Sequence, residues 1–168
     1  YYRAAERTFC LLAQAAGRAG RDKLPGEVVI QTYQPEHYSI VTAATEDYEG
    51  FYTQEMAYRR LLRYPPTTHV LAVLIQGEEE STAKKAAVEL AGILQAARKP
   101  EEGFGTISGP VPAGLAKAND MYRFLIYIKS AKYERLMEFH RLAAQQKLLT
   151  ESSMKCNIQF DFNPFNGY

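Results

Sequence analysis

Apolar residues recur every three or four positions over 4–16, through Ala5, Phe9, Leu12 and Ala16, which predicts a helix. Gly17 and Gly20 are expected to end or bend it. Asp22-Lys23-Leu24-Pro25-Gly26 has turn chemistry, and the β-branched run Glu27-Val28-Val29-Ile30-Gln31-Thr32 predicts a strand. A polar, tyrosine-bearing link follows over 33–45. A second helix is expected over 47–63, carrying Tyr48, Phe51, Tyr52, Met56 and Leu62, until Pro65-Pro66 stops it.

Beyond the prolines the pattern becomes regular. The nearly continuous apolar run 69–76 predicts a strand covered on at least one face. Ser81 is read as the cap of a helix reaching about Ala97, with Ala83, Ala87, Leu90 and Leu94 inward. A short strand is expected over 106–109 and a strong one over 121–130. In the latter, Phe124, Ile126 and Ile128 face one way and Arg123, Leu125, Tyr127 and Lys129 the other. The segment 132–149 predicts a helix with Tyr133, Leu136, His140 and Ala143 inward. Strict alternation over 157–162 puts Ile158, Phe160 and Phe162 on a core face. The order β-α-β-β-α-β matches a ferredoxin-like split βαβ unit.

Composition narrows the classes only modestly. The chain has 168 residues, 46% hydrophobic and 23% charged, as in ordinary globular proteins. A formal net charge of +1 advertises no general affinity for nucleic acid, so any such binding must come from local patches. Cys10 and Cys156 form no CxxC pair, build no zinc site alone, and suit a reducing cytosol. Neither a signal peptide nor an apolar run near the roughly 20 residues of a membrane span is evident. His37, His69 and His140 are scattered, with His140 expected at a core boundary. Glu78-Glu79-Glu80 reads as a solvated loop, Ser152-Ser153 lacks a nucleophile's partners, and Cys10 reads as packing.

The sharpest local pattern is Gln14-Ala15-Ala16-Gly17-Arg18-Ala19-Gly20-Arg21. Glycine allows a close backbone approach, and a guanidinium grips phosphate oxygens bidentately. The three-residue spacing brings Arg18 and Arg21 toward one helical face. The plain alternative is two surface cations flanking a helix C-terminus, where positive charge is favoured anyway. A second candidate surface is Arg123, Tyr127 and Lys129, with Lys117, Tyr122, Lys132 and Arg135 nearby. Basic groups contact phosphates and tyrosines stack bases, although such a face can equally be solvated or packed away.

The octapeptide resembles the last conserved motif of superfamily 2 helicases, Gln-x-x-Gly-Arg-x-Gly-Arg. Together with Arg3 to Phe9, Pro25 to Thr32, Tyr64-Pro65-Pro66, Gly109 to Ala113, Tyr122-Arg123-Phe124, Ile128-Lys129-Ser130 and Asp161 to Pro164, it resembles the C-terminal end of the primosomal protein N′ family. That family comprises replication-restart helicases, and the resemblance covers essentially the whole chain. Asp22 stands where the family often has glycine, and Lys117 where it often has arginine.

The resemblance implies an α+β chain in two parts. Residues 1–45 would be the end of a RecA-like helicase lobe 2. Residues 46–168 would be a DNA- and partner-binding domain, with a helical linker over 46–64 and a ferredoxin-like part over 65–168. The parent would be a cytoplasmic, ATP-dependent 3′–5′ DNA helicase that recognises stalled forks and restarts replication by primosome assembly. Arg21 would be its arginine finger, a role worth about 10³–10⁵ in rate. Arg18, Gly17 and Gly20 would lie at the ATP phosphates, and Gln14 would orient water or link to the DNA side. Lys117, Tyr122, Arg123, Tyr127 and Lys129 would engage DNA. ATP with magnesium would be held mainly by a part absent here, since no phosphate-binding loop or acidic magnesium motif occurs in these residues. Zinc is expected only upstream. Partners would be single-stranded or forked DNA, the single-stranded-DNA-binding protein and primosome proteins, with no membrane. The chain opens on Tyr1-Tyr2-Arg3 and is expected to be a piece of a larger protein. The alternatives are a pure protein-interaction module or a piece of another superfamily 2 translocase.

Overall fold

The computed structural model describes residues 2–19, 26–98 and 105–165. The chain divides into two compact units, 1–62 and 63–168. No helix among the described residues is long and apolar enough to cross a membrane.

The first unit contains α1 (Ala4–Ala19), α2 (Tyr38–Ala44) and α3 (Tyr48–Leu61). Helix α1 continues through Gly17 to Ala19, three residues past its expected end. A single glycine costs a helix only about 1 kcal/mol, too little to stop one that already has a packed stripe. The expected link over 33–45 contains α2, whose start is capped by His37, its Nδ1 accepting from the Ser39 amide. The helix expected over 47–63 is trimmed to α3, with Asp47 accepting from the Gly50 amide at its start. Of the expected helical linker over 46–64, residues 46–62 fall within this compact unit and hold α3.

Phe9, Ala43 and Phe51 make the core of the three helices, with the Phe9 and Phe51 rings stacked at 4.3 Å. Tyr48, Tyr52 and Leu62, apolar positions of the same stretch, are 65%, 55% and 53% exposed. Beside the core, the buried Glu55 accepts from Tyr38 Oη at 2.5 Å and pairs with Arg59 at 2.7 Å. Arg59 also reaches Glu6 at 2.7 Å. Burial works against the guanidinium charge, but the two carboxylates outweigh it and raise its pKa. Burial and the bond to Glu55 push the Tyr38 phenol far above its usual range. The predicted strand over 27–32 carries no regular secondary structure and pairs with no described strand, and Val29 is 84% exposed. A strand exists only through hydrogen bonds to a neighbour, and the described elements of this unit are all helices.

The second unit follows the expected order: β1 (His69–Gly77), α4 (Glu80–Ala96), β2 (Thr106–Ala118), β3 (Met121–Ser130), α5 (Tyr133–Met154) and β4 (Cys156–Phe162). The sheet is antiparallel with order β2-β3-β1-β4, the ferredoxin-like arrangement. Leu71, Val73 and Ile75 of β1, Phe124, Ile126 and Ile128 of β3, and Ile158 of β4 form one face. They pack with Ala83, Ala87, Leu90 and Leu94 of α4 and Leu136, Phe139 and Ala143 of α5.

Several boundaries differ from the sequence reading. Glu79, not Ser81, precedes α4, and β2 runs to Ala118 rather than to Gly109. Helix α5 extends to Met154, where Lys155 turns left-handed at φ 51°. Tyr133 is not inward but 43% exposed, whereas Phe139, not singled out from the sequence, is core. His140 is half-buried with its ring edge-on to Phe160 at 4.7 Å, the boundary position expected.

Two recurrent landmarks acquire physical roles. Gly109 lies where β2 shifts register against β3, at φ 103°, and a Cβ there would stand 2.5 Å from the Leu125 carbonyl. Only glycine accepts that backbone and that approach. Asn163, left-handed at φ 49°, exchanges two hydrogen bonds with Val70: its amide donates to Val70 O at 2.7 Å and its Oδ1 accepts from Val70 N at 2.8 Å. It continues the β1–β4 ladder past the last paired residue. On the same strand, Ile158 donates its amide to Glu151 of α5 at 2.8 Å, so a helix carboxylate occupies part of the sheet's edge.

Candidate nucleic-acid interface

The sheet face turned away from α4 and α5 is set by alternation and register. On β3 it carries Arg123, Leu125, Tyr127 and Lys129, opposite Gln76, Leu74, Ala72 and Val70 of β1 respectively. On β4 it carries Asn157, Gln159 and Asp161, opposite Gln76, Leu74 and Ala72. The centre of this face is not open. Ala72, Leu74 and Leu125 are buried, and Ala113 of β2 packs with them. Apart from Gln159, exposed on the edge strand β4 opposite Leu74, the polar groups consequently fall at two ends. One end holds Gln76, Arg123 and Asn157; the other holds Tyr127, Lys129 and Asp161. Four residues of strand separate Arg123 from Tyr127, about 13 Å at the usual rise.

At the second end, Lys129 Nζ lies 3.7 Å from the centre of the Tyr64 ring, a cation–π contact. Half-burial favours the neutral amine and lowers the Lys129 pKa. The Tyr127 phenol is raised, first by burial and then by neighbouring Tyr64. The pair of tyrosines and the lysine thus make an aromatic and cationic patch in which the charge is partly shielded from water. At the first end, Arg123 donates from Nη1 to Leu115 O at 3.4 Å. Its Nε is buried with no hydrogen-bond partner among the described residues.

The five residues expected to engage nucleic acid therefore separate. Arg123, Tyr127 and Lys129 share the face. Tyr122 does not: it packs against the helix-covered core. Lys117 pairs with Tyr122 across the β2–β3 hairpin, its Nζ 5.2 Å from that ring and 3.3 Å from Asp120. Alternation along β3 already puts Tyr122 opposite in sense to Arg123. Lys132 and Arg135 sit at the start of α5, where Arg135 is engaged by Glu138 at 2.9 Å. Tyr64, Gln76, Asn157, Gln159 and Asp161 were missed as site residues. The alternation of β4 was legible, but which strand it joins was not.

In the first unit, Gln14, Gly17 and Arg18 are exposed on the last turns of α1. A Cβ built on Gly17 would meet nothing within 4 Å, so no described neighbour requires glycine there. Gly20 and Arg21 lie outside the described residues. No group of three or more His, Cys, Asp or Glu that could hold a metal ion occurs among the described residues.

The family model for the primosomal protein N C-terminal domain matches residues 60–165, nearly coincident with the second unit. Replication restart protein PriA of Bacillus subtilis is 39% identical over 98% of this chain. The Chlamydia pneumoniae protein of the same name is 30% identical over 99%, and that of Synechocystis 36% over 95%. The chain spans only 20%, 22% and 18% of those three relatives' own lengths. With the helix-backed antiparallel sheet and the residue match in agreement, the chain belongs to the primosomal protein N C-terminal domain family of replication restart proteins.

Proposed function

We propose that this chain serves an ATP-dependent 3′–5′ DNA helicase that recognises stalled or abandoned replication forks and restarts replication by primosome assembly. Its second unit engages single-stranded or forked DNA through the sheet face turned away from α4 and α5. The observation that carries this is the coincidence on that face of Arg123, Tyr127 and Lys129, with Tyr64 against the lysine. Cations there neutralise phosphates, and tyrosine rings supply stacking platforms worth about 1–3 kcal/mol per base.

The first unit, in this reading, ends a RecA-like lobe and presents Gly17, Arg18, Gly20 and Arg21 to ATP phosphates, with Gln14 orienting water or linking to the DNA side. The nucleotide and magnesium are held mainly by residues outside this chain, and a zinc site belongs there too. The exposed, sterically unneeded Gly17 supports a close approach at that point. Cytoplasmic location and contacts with the single-stranded-DNA-binding protein and other primosome proteins follow from the same assignment.

A salt titration of the 168-residue chain with fluorescein-labelled single-stranded DNA tests the DNA reading. Binding at low salt should weaken steeply as salt rises, and Lys129→Ala should lower both the affinity and the salt slope. Absence of binding at low salt would overturn it. A protein-docking role is favoured by one observation, the carboxylate of Asp161 on the same face. Capture of the single-stranded-DNA-binding protein without DNA affinity would support that second reading. For the arginine motif, Arg18→Ala and Arg21→Ala in a full-length protein should abolish DNA-stimulated ATPase while ATP binding persists.

A further inference from the structure

Resting on the DNA reading above, we infer that Asn157, Gln76 and Arg123 form a row that reads the edge of one guanine base in a single strand. Gln76 is directly paired with Arg123 on one side and Asn157 on the other, so the three side chains emerge from the same face in a line across β4, β1 and β3. Directly opposed residues place their Cβ atoms about 4.5–5.5 Å apart, close enough for one planar ligand to meet all three. Asn157 is exposed, and Gln76 and Arg123 are half-buried, so the row is accessible from that side.

The chemistry of the row differs from that of the other end. Two neutral amides supply both donors and acceptors, whereas a phosphate or carboxylate needs donors alone. Beside the amides, the buried Arg123 Nε lacks a partner among the described residues and its Nη1 makes only a 3.4 Å contact. A buried donor without an acceptor is costly, so turning the guanidinium outward onto the acceptors of a ligand is favoured. Guanine fits this set: O6 and N7 accept from a guanidinium, and N1–H and the 2-amino group donate to amide oxygens. The lysine–tyrosine end then anchors backbone and stacks bases without choosing among them, while the amide row supplies preference.

The test uses the whole chain and labelled thymidine dodecamers carrying one central dG, dA or dC, or a central inosine or 7-deazaguanine. The dG strand should bind at least about fivefold tighter than the all-thymidine strand. Inosine and 7-deazaguanine should each lose part of that gain. Gln76→Ala and Asn157→Ala should each abolish the preference, bringing the ratio of dG-strand to all-thymidine affinity to about one. Circular dichroism checks that each variant is folded, and the modified bases probe the same contacts with no mutation at all. Equal binding of all strands would overturn the guanine row while leaving the DNA reading intact, as would a preference that both variants retain. No binding by any strand would overturn both.

Discussion

Asn163 offers a direct test of how the second unit closes. The Val70 amide is buried, Val70 being 2% exposed, and its acceptor is Asn163 Oδ1 at 2.8 Å. Replacing Asn163 by alanine leaves that amide unsatisfied, which costs about 1–3 kcal/mol. Alanine must also take φ near 49°, where a Cβ costs about 1–2 kcal/mol and asparagine is better tolerated. The sum, about 2–5 kcal/mol, corresponds to about 9–22 °C in Tm for a unit of this size. Asn163→Gly removes the backbone strain but not the orphaned amide, so it should fall between wild type and alanine. Asn163→Asp keeps an acceptor and should stay nearest wild type. The two units need not unfold together, so hydrogen exchange on peptides of β1 and β4 should accompany the melting curve. The Val70 amide should exchange faster in the alanine and glycine variants alone. A glycine variant as stable as wild type would refute the role of the side chain. Alanine and glycine variants of equal stability would refute the strain argument.

In the first unit, Glu55→Gln removes the buried charge that faces Arg59 while leaving Tyr38 an amide acceptor, and should cost about 3 kcal/mol in urea unfolding, whereas Glu6→Gln, with Glu6 41% exposed, should cost less than about 1 kcal/mol. Gly17→Ala should stabilise α1 by about 0.5–1 kcal/mol, since nothing obstructs the added methyl, yet lower ATPase turnover in a full-length protein. For Lys129, folding lowers the pKa, so the folded chain releases its proton first and stability rises as pH climbs toward the usual lysine range. Urea midpoints of wild type and Lys129→Met between pH 7 and about 10 should therefore move in favour of wild type as pH increases.

Where segments carry their own periodicity, the reading from sequence and the structure agree. The alternation of 121–130 assigned Phe124, Ile126 and Ile128 to the helix-covered face, and the small-residue stripe Ala83, Ala87, Leu90, Leu94 is buried on α4. It failed where pairing or capping decides. The β-branched run 27–32 has strand propensity but no described partner, and β2 continues past Gly109 because its neighbour β3 keeps supplying hydrogen bonds beyond the register shift. Tyr122 was grouped with Arg123 by adjacency, although adjacent strand residues point to opposite faces.

The candidate interface divides the same way. That Arg123, Tyr127 and Lys129 share a face follows from the period of a strand, a property of the chain alone. That Gln76 and Asn157 stand beside Arg123, that Leu125 is sealed by Ala113, and that Tyr64 meets Lys129 depend on contacts between residues distant in sequence. Local periodicity determined the elements and their inward faces, because backbone geometry repeats within a segment. Strand order and register, set by packing across the whole unit, decided which side chains became neighbours.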